Sequence, residues 1–157
     1  MKYFLCVVLF LLGMLAQWGC STYLSFFGIA PQILLILTVV VASTQGPVPG
    51  QCFGFAWGLF LDVLGAHLFG ANALGLTVAA YLVGMGRRQM DVSSPIPQIM
   101  VVGASTVAYF LFLGGAGIVF ARHAFWVGWT AFLFDPLLNC LVAPAAFYVV
   151  DRMIDLE

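Results

Sequence analysis

The sequence predicts an all-α, polytopic membrane protein, because it is rich in apolar residues and its charges are far apart. Of its 157 residues, 64% are hydrophobic and only 7% are charged, whereas soluble domains carry about 25% charged residues. No charge lies between Lys2 and Asp62, between Asp62 and Arg87, or between Asp91 and Arg122. Each interval exceeds the roughly 20 residues that a helix needs to cross the hydrocarbon core. The runs lack the alternation of barrel strands, so we predict helices.

Breaks in the apolar pattern divide the chain into six predicted helices, which form one integral membrane domain over 1–157. The clearest turn is Gln45-Gly46-Pro47-Val48-Pro49, since glycine and proline interrupt helices. The helices are expected at about 2–19, 26–44, 50–64, 70–85, 98–120 and 125–150. Pro31 is tolerable near the start of the second helix. Six helices of about 20 residues use about 120 residues, so no extramembrane domain is expected.

The basic residues predict the orientation of these helices. With six spans both termini lie on one side, which collects four of the five basic residues. These are Lys2, Arg87, Arg88 and Arg152, whereas Arg122 falls on the other side. Cytoplasmic loops carry the excess of Lys and Arg, so both termini are expected in the cytoplasm. Three tryptophans then lie toward the outer boundary, as interfacial aromatics do: Trp18, Trp126 and Trp129.

The third predicted helix carries the most specific pattern. Gly50, Gly54, Gly58 and Asp62 recur every four residues, so they lie along one helix face. A glycine groove lets another helix approach closely, and close van der Waals packing drives helix association in lipid. We expect this groove to pack against a helix of the same bundle or of a partner protein. Asp62 lies at the end of the groove, in the outer half of the membrane.

Two acidic residues are predicted to lie inside the membrane, Asp62 and, near the midplane of the sixth helix, Asp135. Asn139 follows Asp135 by one turn on the same face. A charged Asp at the bilayer centre costs about 2.5–3.5 kcal/mol on insertion scales. One interpretation is a functional site, such as a proton or cation relay or a polar contact with a partner. The other is interhelical hydrogen bonding, with Asn72, Asn139 or Gln51 as candidate partners.

Two prolines, Pro136 and Pro144, lie in the sixth predicted helix, and each removes a backbone hydrogen-bond donor. One interpretation is a kinked helix whose freed carbonyls are satisfied by neighbours. The other is a broken helix at a transporter binding site. The sequence leaves both open.

Catalysis and cofactor binding are not expected. The four cysteines are scattered without paired spacing, which argues against a disulfide framework or a metal site. The chain contains no HExxH, GxSxG, P-loop or GxGxxG motif. We therefore predict no cofactor, no metal and no enzymatic activity, and the few basic residues form no patch for nucleic acid.

One stretch of the chain resembles a known family. The residues that carry the resemblance are Ala30–Leu35 (APQILL), Gly54–Asp62 (GFAWGLFLD), Phe69–Leu74 (FGANAL) and Arg87-Arg88. From Ala30 to Arg88 the sequence resembles the rod shape-determining protein MreD family, whereas the last two helices match by hydropathy alone. Gly54, Gly58 and Asp62 are the matched motif positions. The resemblance implies a fold similar to the substrate-binding subunits of energy-coupling factor transporters.

The same resemblance implies a function without enzymatic chemistry. A protein of this family is expected to be a membrane scaffold of the bacterial elongation machinery that binds the single-pass protein MreC. Through that complex it would support the glycosyltransferase RodA, its transpeptidase partner and MreB filaments, and thereby lateral peptidoglycan synthesis and rod shape. The fold similarity leaves a second function open, a solute-binding membrane subunit of a vitamin-type transporter, although a shared fold alone does not carry function.

Overall fold

The structure, a computed structural model, describes residues 2–23, 31–65, 69–87, 89, 92, 94–121 and 129–154. Within these ranges the chain forms six α-helices and no strand, which confirms the predicted all-α class. The helices are α1 Lys2–Tyr23, α2 Ile33–Gln45, α3 Pro47–Leu64, α4 Ala71–Gly86, α5 Pro95–Ala116 and α6 Trp129–Ile154. A π-helical segment, Gly117–Ala121, continues α5. Arg88, Arg122 and Trp126, on which the predicted orientation partly depends, lie outside the described residues.

Helix α2 is the centre of the bundle and contacts the other five helices. Ten consecutive side chains, from Leu34 to Ser43, are buried. A helix that is apolar all round is expected to be buried all round. Its hydroxyl groups bond within the helix: Thr38 donates to the Leu34 carbonyl at 2.7 Å, and Ser43 to the Val40 carbonyl at 2.9 Å. These side chains therefore need no partner on a neighbouring helix.

Helix α2 begins at Ile33, so the predicted start near residue 26, with Pro31 inside the helix, is wrong. Pro31 and Gln32 are both outside the helix, and Gln32 has φ −88° and ψ 76°. Proline within a helix clashes with the preceding turn, and the Gln32 N–H is bound instead by the Asn139 side chain at 2.8 Å. At 13 residues, α2 is about 20 Å long. It is shorter than a hydrocarbon core of about 30 Å.

The turn between α2 and α3 is tighter than predicted. Gly46 alone separates the two helices, with φ 104°, a conformation that L side chains rarely adopt. Pro47 then begins α3, because proline fits the first helical position, where no intrahelical N–H bond is lost. Helix α3 therefore starts at Pro47 rather than near Gly50.

Helix α6 continues through both of its prolines. Pro136 and Pro144 lie within one uninterrupted helix from Trp129 to Ile154. The broken-helix interpretation of this segment is therefore wrong. Neighbouring helices cover the helix on one side, where Ala143, Phe147 and others are buried.

Helix α1 is attached to α3 through an aromatic contact. Trp57 is fully buried, and its indole N–H donates to the Phe10 carbonyl at 3.2 Å. The rings of Phe10 and Trp57 stack with centroids 5.8 Å apart. Gly13 makes room for this contact, since a Cβ at that position would lie 3.1 Å from the Trp57 ring.

The exterior of the bundle is apolar on every helix except the enclosed α2. Many large hydrophobic side chains are exposed, among them Leu15, Val63, Leu82, Leu111 and Leu141. The segments Pro95–Phe120 and Phe132–Arg152 are long and apolar enough to cross a membrane, by length and composition. Several polar side chains lie inside the bundle: Thr38, Ser43, Asp62, Gln98, Ser105, Thr106, Asp135 and Asn139 are all buried.

Candidate functional site

The Asp62 carboxylate, at the end of α3, caps the N-terminus of α4. Its Oδ1 accepts the Asn72 backbone N–H at 3.0 Å and the Asn72 side-chain amide at 2.9 Å. Its Oδ2 accepts the Ala73 N–H at 3.0 Å. The first amides of a helix have no intrahelical partner and carry partial positive charge. Asp62 supplies both the acceptors and the compensating negative charge.

The same cluster extends to α5 through Tyr109. The Tyr109 hydroxyl donates to Asn72 Oδ1, and its ring packs on Gly75, where a Cβ would lie 3.0 Å from the ring. We call Asp62, Asn72 and Tyr109 the Asp62 cluster. It connects α3, α4 and α5 through polar contacts in the interior of the bundle.

The glycine face of α3 packs against two helices of the same bundle. A Cβ on Gly50 would lie 2.8 Å from Ala42 Cα in α2. A Cβ on Gly58 would lie 2.6 Å from the Ala73 nitrogen in α4. Gly54 faces both helices, with an α4 carbonyl oxygen 2.9 Å from its Cβ position. The groove is therefore filled by α2 and α4 along its length.

A second polar cluster surrounds Asn139 of α6, whose side chain is fully buried. Its Oδ1 accepts the Gln32 N–H at 2.8 Å, and its Nδ2 donates to the Thr106 hydroxyl oxygen at 3.1 Å. Two residues further along the chain from Gln32, the Leu34 N–H donates to Gln17 Oε1 of α1 at 3.3 Å. We call Asn139, Gln32 and Thr106 the Asn139 cluster.

Both clusters supply hydrogen-bond acceptors to backbone amides at the start of a short helix. Helices α2 and α4, of 13 and 16 residues, are the shortest of the six. Their N-terminal amides need acceptors, because an unpaired buried N–H is costly. Side chains of α1, α3 and α6 provide those acceptors. The hydrogen bonds of the two clusters therefore hold the N-termini of α2 and α4 in place.

Sequence reasoning missed Gln17 as the acceptor for the Leu34 N–H, and Gln32, Thr106 and Tyr109 as members of these clusters. Pro31 was a signal for the first two, since a proline marks a helix start and therefore a set of amides that need acceptors. Gln17 is an amide side chain in an otherwise apolar run. No comparable local signal distinguishes Tyr109 or Thr106 from other residues of α5.

Asp135 is buried one turn before Asn139, with 5% of its surface exposed. Among the described residues its Oδ1 has no hydrogen-bond partner, and neither does Gln32 Oε1. Asp62 belongs to the Asp62 cluster, whereas Asp135 is a member of neither cluster. Within the described ranges there is no group of three or more His, Cys, Asp or Glu side chains that could hold a metal ion.

The fold and the two clusters define a helical bundle in which buried polar groups cap the two shortest helices, α2 and α4. Comparison of the chain with protein-family models, curated proteins and solved structures finds no match. The resemblance to the MreD family therefore stays a prediction, based on the motif residues of α3 and α4.

Proposed function

We propose that the chain is a polytopic protein of the bacterial inner membrane and a non-enzymatic scaffold of the elongation machinery. In this role it binds MreC and thereby supports RodA, its transpeptidase partner, MreB and lateral peptidoglycan synthesis. The observation that carries the membrane part of the proposal is the inverted distribution of side chains. Many large apolar groups face outward, whereas the side chains of Asp62, Asp135 and Asn139 are buried, and Asp62 and Asn139 cap helices.

The surface of the bundle supports a lipid environment. Soluble monomers rarely expose contiguous apolar patches larger than a few hundred Å², yet five of the described helices here expose large hydrophobic side chains. The two basic side chains that the structure describes, Arg87 and Arg152, are exposed near helix ends. In the proposed orientation both lie on the cytoplasmic side, together with the two termini.

The short helix α2 is compatible with a six-span membrane protein. Because α2 is enclosed by the other helices, its length need not match the bilayer. Non-helical backbone at membrane depth, such as Pro31 and Gln32, is tolerated where protein surrounds it. At Gln32, the Asn139 side chain supplies the hydrogen-bond acceptor for the backbone N–H.

The scaffold role is supported by how the polar groups are used. Both carboxylate oxygens of Asp62 bind α4 amides, and the Asn139 amide binds the residue before α2 and Thr106 of α5. These contacts stabilise relative helix positions, as a docking surface requires. The identity of MreC as the partner comes from the resemblance of residues 30–88 to the MreD family, in which Gly54, Gly58 and Asp62 are the matched motif positions.

The glycine groove is filled, so a partner helix must contact the exterior of the bundle. Two shallow apolar grooves on that exterior contain small side chains, which permit close helix approach. One lies between α4 and α5 and includes Ala79, Ala104 and Ala108. The other lies between α1 and α3 and includes Cys52 and Ala56.

Co-purification with MreC from gentle detergent tests the proposal. The wild-type chain should recover MreC, and filling the contacted groove with Ala104→Leu or Ala56→Leu should lower the recovery several-fold. The exposed substitution Leu141→Phe, outside both grooves, is the matched control. Recovery of no MreC by a folded wild-type chain would contradict the scaffold role. Reporter fusions that place the two termini on opposite sides would contradict the topology.

A second candidate function is a solute-binding membrane subunit of a vitamin-type transporter. The buried and unpaired oxygens of Asp135 and Gln32 favour it, because a solute could supply their missing partners. Native mass spectrometry of the purified chain would then show a vitamin-sized ligand that Asp135→Ala removes.

A further inference from the structure

We propose that the groove between α4 and α5 docks a single transmembrane helix that presents small residues and a hydrogen-bonding side chain, with Ser105 as the polar contact. This inference rests on the proposed scaffold role and adds the place and the chemistry of the contact. The groove has a volume of about 410 Å³ and follows α5 from Met100 to Ala108. That length is about 12 Å, which corresponds to roughly two turns of a docked helix.

Small side chains line both walls of this groove. Ala104 and Ala108 are one turn apart on α5 and both are exposed, and Ala79 lines the groove from α4. Small residues at this spacing let the backbone of another helix approach closely, and close van der Waals packing drives helix association in lipid. The large exposed side chains of Leu82 and Met100 border the same groove. A helix that lies between them would contact small residues beneath it and apolar residues at its sides.

A buried hydroxyl group without a partner lies in the same groove. Ser105 lines the groove and has 7% of its surface exposed. The neighbouring Thr106 hydroxyl donates to the Val102 carbonyl of its own helix at 2.8 Å, whereas the Ser105 hydroxyl makes no hydrogen bond within the described part of the chain. Serine side chains at helix interfaces in membranes form hydrogen bonds across to the neighbouring helix. The groove therefore offers a hydrogen bond as well as an apolar surface.

These features favour a single helix over two other occupants of the groove. A lipid acyl chain has no hydrogen-bonding group, so it would leave the Ser105 hydroxyl unpaired. In a two-fold dimer the same surface of each copy faces the other, and two concave grooves that face each other leave the space between them open. One helix with Ser, Thr, Asn or Gln on a small-residue face fills that space and pairs the hydroxyl.

The groove between α1 and α3 is less suited to a helix. Its volume is smaller, about 260 Å³, and Phe10 and Phe53 form part of its lining. Their ring centroids are 6.5 Å apart, and both rings pack against Trp57. Bulky rings keep the backbone of another helix at a distance, and none of the residues that line this groove carries a hydroxyl or amide side chain. The groove between α4 and α5 is therefore the assigned docking site.

Site-specific photocrosslinking of the full chain in membranes that contain MreC tests the site. A benzophenone amino acid replaces one of three exposed, large side chains, so that the small residues of the groove stay unchanged. Met100 borders the groove between α4 and α5, Val7 borders the groove between α1 and α3, and Leu141 lies on α6 outside both. The probe at Met100 should crosslink to MreC, and the probes at Val7 and Leu141 should not.

Removal of the hydroxyl group tests the polar contact separately. Ser105→Ala should lower the recovery of MreC about three-fold, the effect of losing one average interhelical hydrogen bond. Ser43→Ala is the matched control, because the buried Ser43 hydroxyl donates to the Val40 carbonyl of its own helix. Its recovery of MreC should equal that of the wild-type chain. The crosslinking leaves Ser105 in place, so it decides the docking site even if Ser105→Ala does not fold.

Four outcomes would overturn the docking site and leave the scaffold role in place. They are a crosslink to MreC from Val7 instead of Met100, a crosslink from Met100 to a second copy of the chain, a crosslink from Met100 to lipid alone, and equal recovery of MreC by Ser105→Ala and the wild type. If the folded wild-type chain recovers no MreC, the scaffold role and the docking site both fail.

Discussion

Asp62 and Asn72 are joined by two hydrogen bonds on one carboxylate oxygen, although they belong to different helices. The Asn72 backbone N–H and its side-chain amide both donate to Asp62 Oδ1, at 3.0 and 2.9 Å. The buried Asp62 side chain is therefore hydrogen-bonded to the start of α4. This geometry favours the structural interpretation of Asp62, as an acceptor for amides that have no partner in α4.

Removing the Asp62 carboxylate should destabilise the bundle. Asp62→Ala leaves the N–H groups of Asn72 and Ala73 without acceptors, and unpaired buried donors cost about 1–3 kcal/mol each. Asp62→Asn keeps one acceptor and should lose less. Reversible unfolding in mixed micelles measures the difference. Thr77→Val is the control, because the Thr77 hydroxyl donates only to the Ala73 carbonyl of its own helix, at 2.6 Å. Equal stability of Asp62→Ala and Thr77→Val would contradict the capping role.

Adding a methyl group to the glycine face should separate α3 from α4. In Gly58→Ala the new Cβ would lie 2.6 Å from the Ala73 nitrogen and 2.7 Å from the Asn72 carbonyl oxygen, both backbone atoms. Overpacking of this kind costs about 1–3 kcal/mol. At Gly114 in α5 nothing lies within 4 Å of the Cβ position, so Gly114→Ala should stabilise by about 0.5–1 kcal/mol. Unfolding temperatures in one detergent compare the two, and a shift of the same sign in both would count against the close packing.

The Tyr109 hydroxyl and the Asn72 side chain should be energetically coupled. Tyr109→Phe removes the donor to Asn72 Oδ1 and keeps the ring against Gly75. Interhelical hydrogen bonds in membrane proteins are worth about 0.6 kcal/mol on average and up to about 1.7 kcal/mol. A double-mutant cycle of Tyr109→Phe with Asn72→Ala should give a coupling energy in that range. Additive effects of the two substitutions would show that the hydroxyl has no energetic role.

Loss of the Asn139 side chain should expose the N-terminus of α2 to exchange. Asn139→Leu removes the acceptor for the Gln32 N–H, whereas Thr106→Val removes only the acceptor for Asn139 Nδ2. Hydrogen–deuterium exchange at residues 32–35 should therefore rise in Asn139→Leu and stay near the wild-type rate in Thr106→Val. Equal protection in all three proteins would be incompatible with capping by Asn139.

The helical fold was predictable because its signals are local. The spacing of Gly50, Gly54, Gly58 and Asp62 defines one helix face whatever packs there, and all four are buried in α3. What packs there depends on contacts between distant segments. Gly50 meets α2, Gly58 meets α4 and Gly54 meets both, which no spacing within α3 could distinguish.

The start of α2 and the residues that cap it were less predictable, because they also depend on contacts between distant segments. The apolar run continues across residues 26–30, so hydropathy alone extends the predicted helix beyond its described start at Ile33. Asn139 caps the segment from 107 residues away. Its pairing with a backbone amide, rather than with Asp62 or Asp135, depends on the way α6 packs against α2.

The position of α2 has a consequence for the order in which the bundle is assembled. Three of its five neighbours, α4, α5 and α6, are synthesised after the α2–α3 pair, and the Asn139 that closes its N-terminus belongs to α6. In a nascent chain that has not yet produced α6, the start of α2 therefore lacks its Asn139 acceptor. Early and late parts of the polypeptide must meet before the interior is sealed, so the protein matures as one unit rather than helix by helix.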